Sequence, residues 1–462
     1  MAPDSSVFKA YDVRGTVPAE LDSELCRAIG SAFVRFSGAP RVLVARDMRA
    51  SGVELSAAFV EGALAEGASV LDLGLASTDL LYFASGRLDA PGAMFTASHN
   101  PARYNGIKMC LAGASPVGVD SGLADIAAMA TSGEAPGPAT SRGTVEHRDM
   151  LDEYAVHVRS FVDVGALAPL RVVGDAANGM GGLVAPAVFD SLPVSLDLLY
   201  GELDGSFPNH PADPIQPANL VDLQARVLAT GADLGLAFDG DADRVFLVDE
   251  RGATVSGSLT TALVARAMLG RHPGASVLYN LICSHVVPEV IAEAGGTAIR
   301  TRVGHSYIKA VMAQTGAVFG GEHSGHYYFR DNYRADSGLI AAMVVLELLS
   351  RARVPLSELL APLRSRYVDS GEINTLVGDP DAVIEAVAAA AAAGAFGDRE
   401  AVTDRLDGLT ADFGDWWFNL RPSNTEPMLR LNLEAADAEA CAEHVAQVQE
   451  AILAMPAARG GR

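Results

Sequence analysis

Three carboxylates stand at alternate positions in the segment DGDADR (residues 239–244), which lies between two apolar segments, LGLAF and VFLVD. The side chains of Asp239, Asp241 and Asp243 repel one another near neutral pH unless a cation lies among them. Carboxylate oxygens are the hard ligands that Mg²⁺ prefers, so the spacing predicts a magnesium site. An EF-hand is excluded, because its glycine position carries Arg244 and because strands rather than helices flank the loop.

A serine suited to nucleophilic chemistry follows another apolar segment, GAMF. Ser98 lies in the turn TASHNP (residues 96–101), where Asn-Pro indicates a change of chain direction. Taken by itself, such a motif is more often an ordinary turn. No GxSxG sequence is present, which excludes the nucleophile elbow of a hydrolase. Lys108 follows in NGIK, and a hairpin return would bring it beside Ser98.

The segment GEHSGH (residues 321–326) is a third polar loop after a predicted strand. Glu322, Ser324 and His326 offer acceptors and donors that suit sugar hydroxyls. His323 and His326 could instead ligate a metal, although no thiol or third clustered histidine supports zinc. By itself, this segment also fits a polar turn.

The segment RPSNTE (residues 421–426) is the fourth polar loop. An arginine fork can bind two phosphate oxygens, and the hydroxyls, amide and backbone N–H groups of a turn add further donors. The candidate phosphate ligands here are Arg421, Ser423, Asn424 and Thr425. An ordinary turn fits this segment equally well. Near the N-terminus, YDVRG (residues 11–15) places Arg14 beside another tight turn.

Short apolar strands alternate with amphipathic helices over most of the chain and must position these loops. The strand–helix–strand pattern starts at RVLVA (41–45), LRVVGD (170–175) and SVLYNLI (276–282). This spacing predicts crossover units in mostly parallel sheets. Each of the four loops leaves the C-terminal end of a predicted strand, where open α/β sheets bind ligands. The sequence therefore predicts one cleft between domains.

Three α/β domains followed by an α+β domain account for this pattern. A linker rich in Gly, Pro and Ser (131–143) precedes a helix expected over residues 146–163. The expected domains are 1–145 with the serine loop, 146–254 with the acidic loop, 255–366 with the GEHSGH loop and 367–462 with the RPSNTE loop.

Composition excludes several classes of protein. The chain has 462 residues, 49% of them apolar and 20% charged, which is too apolar for disorder. The 34 basic and 57 acidic residues give a net charge of −23, so nucleic acid and acidic membranes are not expected as partners. Four cysteines without a CxxC pair suggest neither a disulfide framework nor a zinc site. No stretch has the pattern of a signal peptide or the length of a membrane span, so we expect a cytoplasmic protein.

Together, KAYDVRG, TASHNP, DGDADR, GEHSGH and RPSNTEP resemble the motifs of the α-D-phosphohexomutase family, specifically its bacterial phosphomannomutase/phosphoglucomutase branch. The resemblance spans nearly the whole chain in the family's order. It implies three related α/β domains with mixed, mostly parallel sheets and a smaller α+β C-terminal domain around a central cleft. It also implies an isomerase that interconverts hexose 6-phosphate and hexose 1-phosphate, of mannose or glucose, through a phosphoserine and a 1,6-bisphosphate intermediate.

The resemblance also assigns roles to residues. The implied phosphoserine and the ligands of one Mg²⁺ per chain are Ser98, Asp239, Asp241 and Asp243. Lys108, Arg14 and His326 are equal candidates for proton transfer. The implied substrate-binding residues are Tyr11, Arg244, His305, Glu322, Ser324, Arg421, Ser423, Asn424 and Thr425. A hexose 1,6-bisphosphate is the expected activator, and the expected assembly is a monomer or a weak homodimer.

One position departs from the family pattern. Many relatives carry a lysine near the end of the strand that here reads YNLICS, where this chain has Ile282. A substrate contact is then either missing or supplied by Arg300 or Arg302. The GEHSGH loop favours mannose and glucose phosphates over glucosamine phosphate, and the choice between mannose and glucose stays open.

Two other classes of function fit part of the sequence. An aspartyl phosphotransferase of the haloacid-dehalogenase type would use Asp239 as its nucleophile. However, Asp243 stands where that superfamily usually has Thr or Val, and TASHNP and RPSNTEP are left unexplained. A non-catalytic sugar-phosphate-binding protein would bind its ligand without turnover and without covalent phosphate.

Overall fold

Four β-sheets follow one another along the chain in the computed structural model, which describes residues 5–132, 141–397, 399–423 and 428–455. The first three sheets mix parallel and antiparallel strands, and the fourth is antiparallel. The expected fold class, three α/β domains and a smaller α+β domain, is confirmed. No helix in these ranges is both long and apolar enough to cross a membrane.

The first sheet has seven strands in the order β1-β5-β4-β2-β3-β7, with β6 beside β5. Its strands are β1 (Val13–Thr16), β2 (Arg41–Arg46), β3 (Ser69–Leu75), β4 (Gly92–Phe95), β5 (Tyr104–Leu111), β6 (Ser115–Pro116) and β7 (Val145–His147). Its helices are α1 (Ser23–Ser37), α2 (Ser51–Ala65), α3 (Thr78–Leu88) and α4 (Leu123–Thr131). Helices α1 and α2 approach so closely that a Cβ at Gly62 would lie 2.0 Å from the Arg27 carbonyl oxygen.

The helix predicted over residues 146–163 is wrong at its start. Residues Val145–His147 form β7, which pairs in parallel with the edge of β3, and the helix α5 covers only Leu151–Arg159. The open edge of β3 offers backbone hydrogen bonds that a helical turn at this point would leave unmade. The domain limits near residues 145, 254 and 366 stay predictions. The first sheet itself includes β7 and so reaches His147.

The second sheet has five strands in the order β12-β11-β10-β8-β9. Its strands are β8 (Arg171–Asp175), β9 (Ser195–Leu199), β10 (Leu234–Phe238), β11 (Val245–Asp249) and β12 (Thr254–Val255), and its helices besides α5 are α6 (Gly181–Phe189) and α7 (Val221–Thr230). Strands β10 and β11 form an antiparallel hairpin in which every residue is buried. The hairpin therefore holds the loop DGDADR in the interior.

The third sheet has four strands in the order β14-β13-β15-β16. Its strands are β13 (Ser276–Asn280), β14 (Thr297–Thr301), β15 (Phe319–Gly321) and β16 (Tyr327–Phe329). Its helices are α8 (Gly257–Arg271), α9 (Val286–Glu293), α10 (His305–Thr315), α11 (Gly338–Ala352) and α12 (Leu356–Arg364). The apolar segment LIAAMVVLELL lies in α11, where its aliphatic residues are part of the core.

The fourth sheet has five strands in the order β17-β21-β20-β19-β18. Its strands are β17 (Val368–Leu376), β18 (Val402–Asp404), β19 (Leu409–Asp412), β20 (Trp416–Pro422) and β21 (Met428–Ala435), and its helices are α13 (Pro380–Ala392) and α14 (Ala438–Ala454). One hydrophobic cluster joins side chains from the first three sheets, whereas the fourth sheet has a separate cluster of its own. The first three sheets therefore share one continuous core.

Candidate active site

The three aspartates of the DGDADR loop form a buried cluster. One carboxylate oxygen from each of Asp239, Asp241 and Asp243 lies within 4.8 Å of the other two. Ala242 adopts a left-handed φ of 60°, which keeps the turn between the second and third aspartate tight. Oδ1 of Asp241 and Oδ1 of Asp243 are buried and accept no hydrogen bond from the described residues. Unused acceptor atoms in a buried carboxylate cluster are the donor set that a hard divalent cation needs.

Two cations partly neutralise this cluster. Lys108 Nζ donates to Asp241 Oδ2 at 2.7 Å and to Asp243 Oδ2 at 2.6 Å. Arg244 Nε donates to Asp239 Oδ2 at 2.8 Å. Burial alone would lower the pKa of Lys108, but the Asp241 and Asp243 carboxylates outweigh burial and raise it, so the amine stays charged. Burial raises the pKa of Asp239, and repulsion from the neighbouring carboxylates adds to this effect.

Ser98 of the first sheet meets the acidic loop of the second. Its Oγ donates to Asp239 Oδ2 at 2.7 Å and accepts from Arg244 Nη2 at 2.9 Å, and the residue is 4% exposed. The two loops touch through their backbones as well, since a Cβ at Gly240 would lie 2.3 Å from the Ser98 carbonyl oxygen. A serine hydroxyl, three carboxylates and two cations therefore share one buried site.

The hairpin expected between Ser98 and Lys108 is present. Strands β4 and β5 are antiparallel and place Lys108 opposite Met94. The ammonium reaches the aspartates rather than the Ser98 hydroxyl, because its hydrogen bonds go to Asp241 and Asp243. Lysine and serine thus flank the acidic loop from the same sheet.

His326 brings the third sheet to the same site. Its backbone forms an antiparallel bridge with Arg244, at the end of the acidic loop. Nδ1 of His326 lies 2.8 Å from Asp336 Oδ2 and 3.8 Å from Asp243 Oδ1. Burial alone would lower the pKa of His326, but the Asp243 and Asp336 carboxylates raise it overall. His323 lies outside this contact, because its Nδ1 is 2.9 Å from Ser258 Oγ.

Glu322 is buried with protein partners at both oxygens. Oε1 accepts from Asn280 Nδ2 and from the Gly304 backbone N–H, each at 3.1 Å, and Oε2 accepts from Tyr328 Oη at 2.7 Å. The carboxylate therefore ties the start of α10 to the GEHSGH loop. Ser324 is half-buried in the same loop, and His305 is the first residue of α10.

Arg14 approaches the site from β1, and Tyr11 approaches it from the segment just before this strand. Tyr11 Oη donates to the Val303 carbonyl at 3.2 Å, and burial raises the pKa of Tyr11 to about 12. Arg14 Nη1 donates to Asn100 Oδ1 at 2.6 Å, next to the Ser98 turn, and Nη2 pairs with Asp12. Arg14 is therefore close to the serine loop, and Tyr11 joins the first sheet to the third.

Among the residues expected to hold phosphate, Arg421 lies on the fourth sheet and Ser423 directly follows its strand β20. Arg421 is within β20 rather than in the loop, and its Nη2 donates to Glu372 Oε2 at 2.9 Å. Arg430 donates to the other oxygen of Glu372 at 3.1 Å. The Ser423 N–H donates to the Met428 carbonyl, while Asn424 and Thr425 lie outside the described residues. Within the described ranges, no hydrogen bond or ion pair links Arg421 to the Ser98 cluster.

Ile282, the position that departs from the family pattern, lies between the third and fourth sheets. Ile282 follows β13, is 8% exposed and lines a small cavity together with His323 and Trp417. Arg300 pairs with Asp404 of β18, and the Arg302 guanidinium lies 4.5 Å from the centre of the Tyr307 ring. Neither arginine forms a hydrogen bond with the Ser98 cluster in the described ranges.

Several site residues escaped the sequence analysis. Thr78, at the start of α3, donates from Oγ1 to Asp241 Oδ2 at 2.6 Å. His99 Nδ1 lies against Arg244 Nη2, and Asp336 holds His326. Arg49 donates to the backbone of the serine turn. Arg49 follows β2 at its C-terminal end, a position shared with the predicted loops, so the strand pattern could have indicated it.

The four-sheet fold and the site between its first three sheets define a class: multidomain α/β proteins that present a serine to a buried acidic loop. Family models of phosphoglucomutase/phosphomannomutase match the chain for all four domains. Alpha/beta/alpha domains I, II and III and the C-terminal domain match residues 5–135, 152–252, 256–367 and 372–451. The chain belongs to the phosphoglucomutase/phosphomannomutase family.

Known proteins of this family are similar to the chain over almost its whole length. A phosphomannomutase of Salmonella typhimurium is 38% identical over 93% of this chain and 94% of its own length. A protein of Xanthomonas campestris named phosphohexose mutases is 39% identical over 92% of this chain and 94% of its own length. The solved structure of a phosphoglucomutase/phosphomannomutase family protein from Burkholderia thailandensis superposes with a TM-score of 0.87 at 34% identity, covering 99% of both chains.

Proposed function

We propose that this chain is a phosphohexomutase that interconverts hexose 6-phosphate and hexose 1-phosphate, with mannose or glucose as the sugar. The observation that carries the proposal is the hydrogen bond from Ser98 Oγ to Asp239 inside the buried cluster. Relatives that cover almost the whole chain are named phosphomannomutase and phosphohexose mutases, which supports the same reaction. Ser98 is the residue that carries the phosphoryl group.

The acidic loop fits a bound Mg²⁺, one per chain. Three carboxylates face two cations, which leaves one net negative charge, and two buried carboxylate oxygens accept no hydrogen bond within the described residues. Asp239, Asp241 and Asp243 would hold the ion together with the phosphorylated Ser98. When bound, Mg²⁺ neutralises negative charge on the group being transferred.

The transfer moves a proton as well as a phosphoryl group. The attacking sugar hydroxyl loses its proton, and the serine oxygen gains one when its bond to phosphorus breaks. Lys108, Arg14 and His326 are the candidates for this proton transfer. Of the three, only the imidazole of His326 has an ordinary pKa near neutrality, and Asp336 orients its ring. Lys108 stays charged beside two aspartates and stabilises negative charge.

The remaining predicted residues would bind the sugar phosphate. Arg421 supplies a cation for the non-reacting phosphate, together with the polar residues after it. The proposed substrate-binding set is Tyr11, Arg244, His305, Glu322, Ser324, Arg421, Ser423, Asn424 and Thr425. A hexose 1,6-bisphosphate both activates the enzyme and forms as the intermediate. The proposal includes a cytoplasmic location, a monomer or weak homodimer, and no nucleic-acid or membrane partner.

The reading of the chain as an aspartyl phosphotransferase is not favoured. Asp239 accepts hydrogen bonds from Ser98 and Arg244, so its carboxylate already has partners on Oδ2. Membership of a phosphohexomutase family also argues against a binding protein without turnover.

Mapping phosphate on the purified protein tests the proposal. The protein is incubated with Mg²⁺ and glucose 1,6-bisphosphate, and trypsin then releases residues 88–103, in which fragmentation separates Ser98 from Thr96. We expect stable phosphate on Ser98, and loss of both label and mutase activity in Ser98→Ala. Hydroxylamine-sensitive phosphate on the Asp239 peptide would instead support the aspartyl mechanism. Absence of phosphate at both sites would contradict both enzymes.

A further inference from the structure

Arg49 is a buried cation close to Ser98 that has no place in the mechanism described above. It follows β2 and is 1% exposed. Its Nε pairs with Asp47 Oδ2 at 3.2 Å, and the Arg49 backbone N–H donates to Asp47 Oδ1 at 2.9 Å. Because both groups are buried and mutually paired, the guanidinium is fixed in place at the end of the strand.

Three backbone carbonyls of the serine turn and one at the start of β5 accept hydrogen bonds from the other donors of Arg49. Nη2 donates to the Ser98 carbonyl at 2.9 Å and to the Asn100 carbonyl at 2.6 Å. Nη1 donates to the Pro101 carbonyl at 2.9 Å and to the Tyr104 carbonyl at 3.0 Å. A guanidinium has five N–H donors, so together with Asp47 each donor has an acceptor.

The serine loop needs such support because its backbone is strained. Ser98 has a φ of 48°, in the left-handed region that non-glycine residues seldom adopt. The Ser98 N–H donates to Thr96 Oγ1 at 2.9 Å, which supports the turn from one side. Arg49 supports it from the other side through the carbonyls of residues 98, 100, 101 and 104.

The segment between β9 and α7 of the second domain closes over Arg49. The Phe207 ring lies 5.1 Å from the guanidinium carbon, and a Cβ at Gly205 would lie 2.6 Å from Arg49 Cα. The same domain supplies Asp239, which accepts a hydrogen bond from the Ser98 hydroxyl. One buried arginine therefore fixes the serine loop relative to the domain that carries the acidic cluster.

We propose that Arg49 is a positioning residue for phosphoryl transfer, holding the Ser98 backbone so that Oγ stays at the acidic cluster. This assignment rests on the proposed function. It predicts that the planar five-donor fork, rather than the positive charge alone, is what the site requires. A lysine keeps the charge but has three donors on one atom and cannot reach carbonyls on both sides of the loop.

The Arg49→Lys variant tests the proposal. The rate of Ser98 phosphorylation by glucose 1,6-bisphosphate is measured per folded molecule, with hydrogen exchange of residues 97–104 and the unfolding midpoint alongside. We expect a rate at least about tenfold lower, with KM changed by less than about twofold, because misplacing a reacting group lowers the transfer rate rather than binding. Exchange should accelerate in residues 97–104.

Two further variants separate positioning from general stability. Arg159→Lys is the matched control, because Arg159 Nη1 also donates to two carbonyls, those of Ala187 and Val188, on the second domain. It should leave the phosphorylation rate unchanged. Phe207→Leu keeps every hydrogen bond of Arg49 and removes only the ring above it. We expect it to lower the rate of Ser98 phosphorylation by less than Arg49→Lys does. This variant still tests the proposal if Arg49→Lys fails to fold.

A wild-type rate in folded Arg49→Lys, whatever its unfolding midpoint, would overturn the assignment. If that variant does not fold, a wild-type rate in Phe207→Leu would do so. Wild-type protein that takes no phosphate on Ser98 would overturn the proposed function itself and the assignment with it. The two failures are distinguishable, because only the second is seen without any substitution.

Discussion

Replacing Lys108 with methionine tests the charge balance of the acidic cluster. The Lys108 side chain is 8% exposed and its ammonium bonds to Asp241 and Asp243, so the variant removes one of the two permanent cations that oppose three buried carboxylates and leaves Arg244. Removing one partner of a buried ion pair costs about 3–5 kcal/mol, because the other charge stays buried without compensation. We expect a loss of this size in the free energy of unfolding of the metal-free protein.

Mg²⁺ should restore much of the stability lost in Lys108→Met. A ligand that binds only the folded state stabilises it by RT ln(1 + [L]/Kd), or about 2.7 kcal/mol at 100 times Kd. Because the divalent ion supplies the positive charge that Lys108 provided, it should bind the variant with less competition. The assay is thermal unfolding in EDTA and across a Mg²⁺ series. We expect a larger rise in melting temperature for the variant than for the wild type.

Lys309→Met is the matched control for this experiment. Lys309 is 2% exposed and its Nζ lies 2.9 Å from Asp336 Oδ1, so its loss also takes a lysine partner from a buried carboxylate. In the described residues, Lys309 makes no ion pair with the aspartates of the DGDADR loop. It should lose comparable stability and gain no extra response to Mg²⁺. An equal Mg²⁺ response in both variants and the wild type would refute the reasoning.

The further predictions concern stability and binding. Burial raises the pKa of Asp79 to about 7, so the folded protein keeps a proton that the unfolded chain releases above about pH 4. This contribution to stability is lost as pH rises toward 7, so the free energy of unfolding should fall over this range. In urea titrations at several pH values, Asp79→Asn should show a smaller fall than the wild type. An equal pH dependence in both proteins would contradict the prediction. Gly62→Ala should destabilise the protein by several kcal/mol in the same titrations, because the new Cβ would lie 2.0 Å from a carbonyl oxygen. Gly270→Ala, with nothing within 4 Å, should stabilise it by about 0.5–1 kcal/mol. In steady-state kinetics, Arg421→Met should raise KM for the hexose phosphate about tenfold or more. Arg430→Met is the control and should raise KM clearly less, since the Arg430 side chain is 33% exposed. Equal effects of the two variants on KM would argue against Arg421 as the phosphate ligand.

The strands and loops that carry local patterns could be predicted from the sequence. LGLAF and VFLVD are continuous apolar runs on either side of the acidic loop, and both are strands with every residue buried. GAMF and NGIK gave the hairpin that brings Lys108 back toward the serine turn. In these segments, residue type and spacing alone determine which atoms face the interior.

Contacts that depend on backbone atoms or on packing between domains could not be predicted. Arg49 binds carbonyl groups, and every residue type has a carbonyl, so no motif marks its partners. Thr78 reaches Asp241 across 163 positions of sequence, and only the packing of two domains brings them together. The helix expected from residue 146 was wrong because β3 has an open edge, which local propensity does not record.

The division of the core fits the proposal that the reacting residues and the phosphate ligands lie on different domains. Ser98, Asp239 and His326 lie in loops next to strands of three sheets that share one continuous hydrophobic cluster, so their relative positions are held by tight packing. Transfer of a phosphoryl group needs that precision, because small displacements of reacting atoms lower the rate steeply. Arg421 stands on a sheet with a separate core, where a charged fork can hold a phosphate without ångström-level alignment to the serine. In the proposed reaction, a bisphosphate presents either phosphate to Ser98, and this needs a site that is rigid around the reacting atoms and more tolerant around the phosphate that is only held.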